Sequence, residues 1–252
     1  MDKKIALITW GSRGLWKNMA LKLAEQWKDI IITYNSKKQE ADKVVIEIQK
    51  LWSKAIALKL DVWDINTYDS FFDEVRIWLK EFFWVDKIDF LINNAGIWIY
   101  EPFATTSEEQ FDLLVNIHFK AAFFLTQKAL VLLNDWWWII NISSWLTRFS
   151  QPWSSAYASM KWAIETLSKY QAKELWNRWI RVNVVAPGAI ETDFGWWRVR
   201  DNPEINKMIS SMTALGRAGI SDDIWWVVAF LCSKDAKWIN WQRIEISGWV
   251  NL

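Results

Sequence analysis

The sequence predicts an α/β protein, with one doubly wound sheet of seven parallel strands and helices on both faces. Strand-length apolar runs alternate with helix-length segments from end to end of the 252 residues, the pattern of repeated strand-helix-strand units. No Pro/Ser-rich linker and no internal repeat interrupts it, so 1–252 reads as a single domain. An apolar content of 52% is ample for the core such a domain buries.

In chain order, the strands are the short apolar or β-branched runs IALIT at 5–9, IIITY at 30–34, AIALKL at 55–60, FLIN at 90–93, IINIS at 139–143, RVNVVA at 181–186 and RIEIS at 243–247. Helical period fills the intervals at 15–26, 38–50, 67–82, 107–132, 154–175 and 221–232. The charges around 37–50 read as a solvated helix face. One long interruption, 188–215, is polar and carries Pro203; it reads as a substrate-covering segment or a plain surface insertion.

Composition narrows the function. With 30 basic and 29 acidic residues the formal charge is +1, so no net field favours nucleic acid or an anionic surface. The N-terminus MDKKIALIT reads as a strand, and no run of 18 uncharged apolar residues occurs, so neither a signal peptide nor a membrane span is expected. Cys232 is the single cysteine, which excludes an intrachain disulfide and points to a reducing, cytoplasmic setting. It reads as a small buried hydrophobe. A small-molecule partner is expected and no metal site. One feature is abnormal: 23 Trp stand beside 8 Gly, where average glycine usage predicts roughly 18. Several Trp fall where the pattern requires a turn, as in Trp136-Trp137-Trp138 and Trp196-Trp197.

In a doubly wound sheet ligands gather beyond the carboxyl ends of the strands, so the residues following each strand carry the function. After the first come Thr9-Trp10-Gly11-Ser12-Arg13-Gly14-Leu15-Trp16, a turn opening a helix whose N-terminus suits a phosphate. Asp61-Val62 follows the third strand, Asn93-Asn94-Ala95-Gly96 the fourth, Ser144 the fifth, and Pro187-Gly188 with Ile190 and Thr192 the sixth. Tyr157 and Lys161 sit one helical turn apart and share a face.

This set resembles the short-chain dehydrogenase/reductase family. The first loop is similar to its TGxxxGxG turn with only Gly14 kept, NNAG and PGxxxT match directly, and Tyr157 with Lys161 matches YxxxK, Ser144 preceding the Tyr by the family's thirteen residues. The resemblance implies a Rossmann fold and hydride transfer between NAD(P) and a carbonyl or secondary alcohol, in an enzyme similar to 3-oxoacyl reductases or sugar and alcohol dehydrogenases. It implies catalytic roles for Asn116, Ser144, Tyr157 and Lys161. It further implies cofactor contacts from Thr9, Gly11, Ser12, Arg13, Gly14, Leu15, Asn35, Ser36, Asp61, Val62, Asn93, Ala95, Gly96, Pro187, Gly188, Ile190 and Thr192, with Tyr157 and Lys161. A homotetramer is implied in the same way.

For coenzyme choice, Tyr34-Asn35-Ser36-Lys37-Lys38 lacks the acidic residue of NAD-specific relatives, and Arg13 suits a 2′-phosphate, so NADP(H) is favoured with NAD(H) open. A free Tyr near pKa ~10 is a poor base, and bringing it to ~7 takes about 4 kcal/mol, which Lys161 and an oxidised nicotinamide are expected to supply. Substrate-pocket candidates are Ile97, Leu146, Arg148, Phe149, Gln151 and Phe194. His118, two residues past Asn116, is expected to turn away from the site as a structural or interface residue. Measured against the family, Trp10, Trp16, Trp84, Trp162, Trp179, Trp241 and Trp249 stand where relatives carry Gly. Indoles at Trp10 and Trp16 are expected to crowd the pyrophosphate, so that the chain binds cofactor poorly or fails to fold. The alternative function is a catalytically weak or inactive nucleotide-binding regulator on the same fold, which loss of Tyr157 or Lys161 would have favoured; neither is lost.

Overall fold

The computed structural model describes residues 3–11, 14–195 and 198–251, with backbone alone for 14–16. Strands β1 (Lys4–Ile8), β2 (Lys28–Tyr34), β3 (Ala55–Lys59), β4 (Ile88–Asn93), β5 (Leu133–Ile142), β6 (Arg181–Pro187) and β7 (Arg243–Ile246) pair in parallel in the order β3-β2-β1-β4-β5-β6-β7. The order reverses between β1 and β4, which creates the crevice where such sheets bind ligands.

Nine helices are described: α1 (Gly14–Glu25), α2 (Lys38–Lys50), α3 (Tyr68–Trp78), α4 (Glu108–Leu114), α5 (Ala121–Ala129), α6 (Ser155–Glu174), α7 (Arg198–Asp201), α8 (Pro203–Met212) and α9 (Ser221–Leu231). Alternation along the strands builds two cores. Ala6, Ile8, Ile30 and Ile32 pack with Met19 and Leu23 of α1, Val44 of α2 and Ile224 of α9. Ile5, Leu7 and Ile31 face the opposite layer, with Phe71 of α3, Leu125 of α5 and Ala172 of α6.

Three elements differ from the sequence reading. The helix expected over 107–132 begins with a capping box between Ser107 and Gln110, then opens into a π turn, Val115–Lys120, before continuing as α5. In that turn the Ala121 N–H bonds the Asn116 carbonyl. The 67–82 helix likewise ends in a π turn, Leu79–Phe83. Widened turns keep their apolar residues facing the sheet, so hydrophobic period does not reveal them. Within 188–215 lie α7 and α8, the latter opened by Pro203 and by Asn202, whose side chain accepts from the N–H groups of Glu204 and Ile205 at 3.0 and 3.1 Å.

The tryptophans have a backbone signature. Trp10, Trp27, Trp52, Trp84, Trp136, Trp153, Trp179, Trp241 and Trp249 all hold positive φ, between 48 and 73°. Each such placement costs roughly 1–2 kcal/mol for a residue with a Cβ. Trp84 and Trp179 end helical turns in the left-handed conformation that glycine usually supplies. Trp162, by contrast, lies within α6. Among the described residues no helix is long and apolar enough to cross a membrane.

Candidate active site

The strand ends are stitched together at the crevice. Thr9 Oγ1 accepts from the N–H groups of Asn94 and Ala95 at 2.8 and 2.9 Å, and Asn94 Nδ2 donates to the Thr9 carbonyl at 2.7 Å. Asn93 points inward, donating at 2.8 Å to both Thr126 Oγ1 and Asn141 Oδ1. These bonds fix β1 against β4 and β4 against β5, and so hold the crevice open.

One end of the crevice lies beyond β2 and β3, where Asn35, Ser36 and Asp61 border an open cleft. Val62 is buried behind it, and its carbonyl accepts from the Tyr68 hydroxyl at 2.5 Å. Ser12 and Arg13 lie outside the described residues, as do the side chains of Leu15 and Trp16, and Gly14 is described by its backbone. Gly11 packs on Ile32, where an added Cβ would come within 2.7 Å of its Cγ2.

The other end is a cavity of about 160 Å³ bordered by Ser144, Tyr157 and Lys161, by Asn94 and Gly96, and by Pro187, Gly188, Ile190 and Thr192. Gly188 is required there: its N–H bonds the Ile246 carbonyl at 2.9 Å, and a Cβ would approach the Ser247 Cα to 2.7 Å. Thr192 Oγ1 accepts from the Phe194 N–H at 3.2 Å. The apolar wall comprises Trp98, Tyr100, Leu146 and Phe194, with Gln151 and Arg198 as polar groups. Leu146, Gln151 and Phe194 are therefore where the sequence placed them. Arg148 is not, because it forks onto Glu245 at 2.9–3.1 Å. Phe149 packs edge-on against Trp145 at 4.6 Å instead, and Ile97 borders the neighbouring cleft.

Ser144, Tyr157 and Lys161 are each at most 5% exposed. Ser144 caps the short 3-10 turn Trp145–Thr147, its hydroxyl accepting from the Leu146 N–H at 3.2 Å. Lys161 Nζ donates to the Ile142 carbonyl at 2.8 Å. Burial governs both titratable groups. It raises Tyr157 far above the ordinary phenol range, against a smaller downward pull from the Ser144 hydrogen bond, and it lowers Lys161 to about 7. Burial is the dominant influence on Tyr157, while the Lys161 amine is engaged by the Ile142 carbonyl. Asn116 does not border the cavity, and its carbonyl is engaged by Ala121.

His118 is the residue that sequence reasoning misplaced. It is buried beneath the site, its ring edge-on to Tyr157 with centroids 5.2 Å apart and Nε2 2.7 Å from the Ile97 carbonyl. Burial, then the Lys161 charge, hold its pKa well below the usual imidazole value, so it is neutral. The helix is enclosed on more than one side here, Ile117 and His118 both being buried, so spacing from Asn116 could not place it. Burial pushes the Cys232 thiol up to about 12, which removes it as a nucleophile.

The two ends together fit a nicotinamide dinucleotide: a polar cleft for the nucleoside, a small-residue approach at Gly188, and a buried cationic Lys161. Between them stands Trp10, at the border of the cleft that also holds Asn35, Ser36 and Gly96. Its buried indole N–H has no hydrogen-bond partner among the described residues.

Comparison with known proteins agrees with this geometry. Residues 11–250 match a family model described as enoyl-(acyl carrier protein) reductase. A hydroxynaphthalene reductase-like protein of Metarhizium brunneum is 34% identical over 256 residues, covering 97% of this chain and 94% of that protein. Among solved structures, the angucycline C-6 ketoreductase LanV with bound NADP superposes with a TM-score of 0.92 at 32% identity, covering 97% of this chain and 94% of that one. The reductase LugOII, described as catalysing keto-reduction at C1 during lugdunomycin biosynthesis, gives 0.93 at 32% identity over 99% and 98% of the two chains. With nearly its whole length matched by sequence and by fold, this chain belongs to the short-chain dehydrogenase/reductase family of NAD(P)-dependent oxidoreductases.

Proposed function

We propose that this protein is an NADP(H)-dependent ketoreductase in which Tyr157 is the proton donor. The observation that carries the reading is the convergence of Ser144, Tyr157 and Lys161 on one buried cavity, with Tyr157 held as a neutral phenol. A phenol donates a proton readily to a developing alkoxide and accepts one poorly, so the arrangement favours carbonyl reduction over alcohol oxidation.

When bound, the reduced dinucleotide supplies the hydride. Ser144 holds the carbonyl oxygen and stabilises the charge that develops there. Tyr157 delivers its hydroxyl proton to that oxygen. Lys161 would hold the ribose of the dinucleotide, and its pKa of about 7 suits it to return, through solvent, the proton that Tyr157 loses. Asn116 takes no direct step, since it lies on the helix behind with its carbonyl bonded by Ala121. Asn35, Ser36 and Asp61 would hold the adenosine end, Thr9, Ala95 and Gly96 would border the middle, and Pro187, Gly188, Ile190 and Thr192 would enclose the nicotinamide, while the Asn93 side chain is taken up by Thr126 and Asn141. Arg13 takes the 2′-phosphate; support comes from the lack of an acid after β2 and from the NADP bound to LanV.

The substrate is a planar aromatic ketone. Trp98, Tyr100 and Phe194 give the cavity flat apolar walls, and two of the similar proteins are named as a hydroxynaphthalene reductase-like protein and an angucycline C-6 ketoreductase. A homotetramer is part of the same reading, supported by Phe111, Phe123 and Tyr170 exposed on α4, α5 and α6. One observation favours a second reading, a protein on the same fold that binds cofactor poorly and is catalytically weak or inactive: the Trp10 indole in the dinucleotide cleft. Oxidation of NADPH across a panel of aromatic, 3-oxoacyl and sugar carbonyls separates the two.

A further inference from the structure

Beneath the cavity lies a partly buried ionic cluster that the proposed chemistry does not use. On α6, Tyr157 and Lys161 are followed one turn later by Glu165, on the same stripe of the helix and 9% exposed. Glu165 Oε1 accepts from Ser143 Oγ at 2.7 Å, from Thr147 Oγ1 at 2.7 Å and from Arg243 Nε at 2.8 Å. Arg243, from β7, forks onward: one terminal nitrogen donates to Glu245 Oε2 at 2.9 Å, the other to the Ser144 carbonyl at 3.2 Å and to Thr147 Oγ1 at 2.9 Å.

The effect is to grip Ser144 from both sides. Its predecessor Ser143 is tied to Glu165, its own carbonyl to Arg243, and Thr147, which closes the turn that Ser144 caps, to both. Burial draws the Arg243 pKa down, but the hydrogen bonds and charges of Glu165 and Glu245 outweigh it and the pKa is raised. A guanidinium with several acceptors in fixed directions suits this task better than an ammonium would. A half-buried pair of this kind is weak as a source of stability; what it supplies here is a set of hydrogen bonds in fixed directions to Ser143, Ser144 and Thr147.

We propose that Glu165 and Arg243 are positioning residues that set the Ser144 turn, and hence the Ser144 hydroxyl, against Tyr157. The proposal rests on the ketoreductase reading for its catalytic consequence, though not for its structural one. Glu165→Gln keeps size and shape while removing the charge that Arg243 requires. Arg243→Lys, a milder change, keeps the charge and loses the fork.

The test compares crystal structures and NADPH-dependent turnover of the purified full chain and both variants. Expected is a displacement of the 144–147 turn in Glu165→Gln while Lys161 stays on Ile142, with kcat lowered about 10- to 100-fold, KM for NADPH unchanged and Arg243→Lys falling between. If Glu165→Gln does not fold, Arg243→Lys alone decides by the same two readouts. An unmoved Ser144 overturns the proposal whatever turnover does, and so does a displaced Ser144 with full turnover. A wild type inactive on every carbonyl, with Ser144 still displaced in the variants, overturns the ketoreductase reading and leaves the clamp standing.

Discussion

The Lys161 ammonium stands 5.6 Å from the centre of the Tyr157 ring and spends a hydrogen bond on the Ile142 carbonyl at 2.8 Å. The two residues share a helix face, yet each is shifted mainly by its own burial, Tyr157 upward and Lys161 down to about 7. The site therefore holds an unionised acid beside an amine poised near neutrality. Its charge state is set by desolvation before any substrate arrives.

A stability consequence follows for Lys161. Its folded pKa lies below the unfolded value, so between about 7 and 10.5 the unfolded chain binds more protons, and stability rises with pH across that window. Lys161→Met removes this dependence. At neutral pH the variant is expected to be more stable than the parent, with the gap closing towards pH ~10. Denaturant titrations at several pH values check it.

Trp52 is 82% exposed at φ 63°. Trp52→Gly relieves a left-handed Cβ and is expected to raise stability by about 1 kcal/mol, the conformational gain exceeding the entropy that glycine adds to the unfolded chain. Trp52→Ala keeps the Cβ and is expected to give no such gain. Thermal unfolding of the pair isolates the backbone contribution from loss of the indole.

Trp10→Gly tests the dinucleotide cleft. Removing the indole from the border of Asn35 and Gly96 is expected to strengthen NADPH binding, and a gain of ~3 kcal/mol is more than a hundredfold in affinity. Calorimetric titration measures it, after intact mass has verified the tryptophans. Micromolar binding by the parent with no improvement in the variant contradicts the obstruction.

The proposed assignment of the 2′-phosphate to Arg13, which lies outside the described residues, is tested by substitution. Arg13→Ala is expected to raise the NADPH dissociation constant about 10- to 150-fold and to leave NADH binding nearly unchanged. Equal losses for both coenzymes would place the guanidinium elsewhere.

Much of this was legible in the sequence, for a physical reason. Strand alternation and the residues just past each strand are local signals, and the sheet carries Ser144, Pro187 and Gly188 to one cavity because parallel strands end on the same side. What escaped was either a change of helical pitch or a pairing across long range. The π turn at Val115–Lys120 leaves no mark in the apolar pattern, and His118 beside Tyr157 depends on it. Arg148, expected in the pocket, is drawn away by Glu245, 97 residues on, and Glu165 meets Arg243 across 78. The charge state of Tyr157 was also beyond reach, because burial is a property of the fold and the neighbouring Lys is not.

The most direct measurement is steady-state NADPH oxidation with a planar aromatic ketone, comparing the parent chain with Tyr157→Phe. The substitution removes the proton donor and keeps the ring against His118. Expected is measurable reduction by the parent and a fall of about 10²- to 10⁴-fold in kcat for the variant, with NADPH affinity retained in calorimetry. Turnover in Tyr157→Phe close to that of the parent would contradict the assignment of Tyr157 as the acid, and with it the proposed reaction.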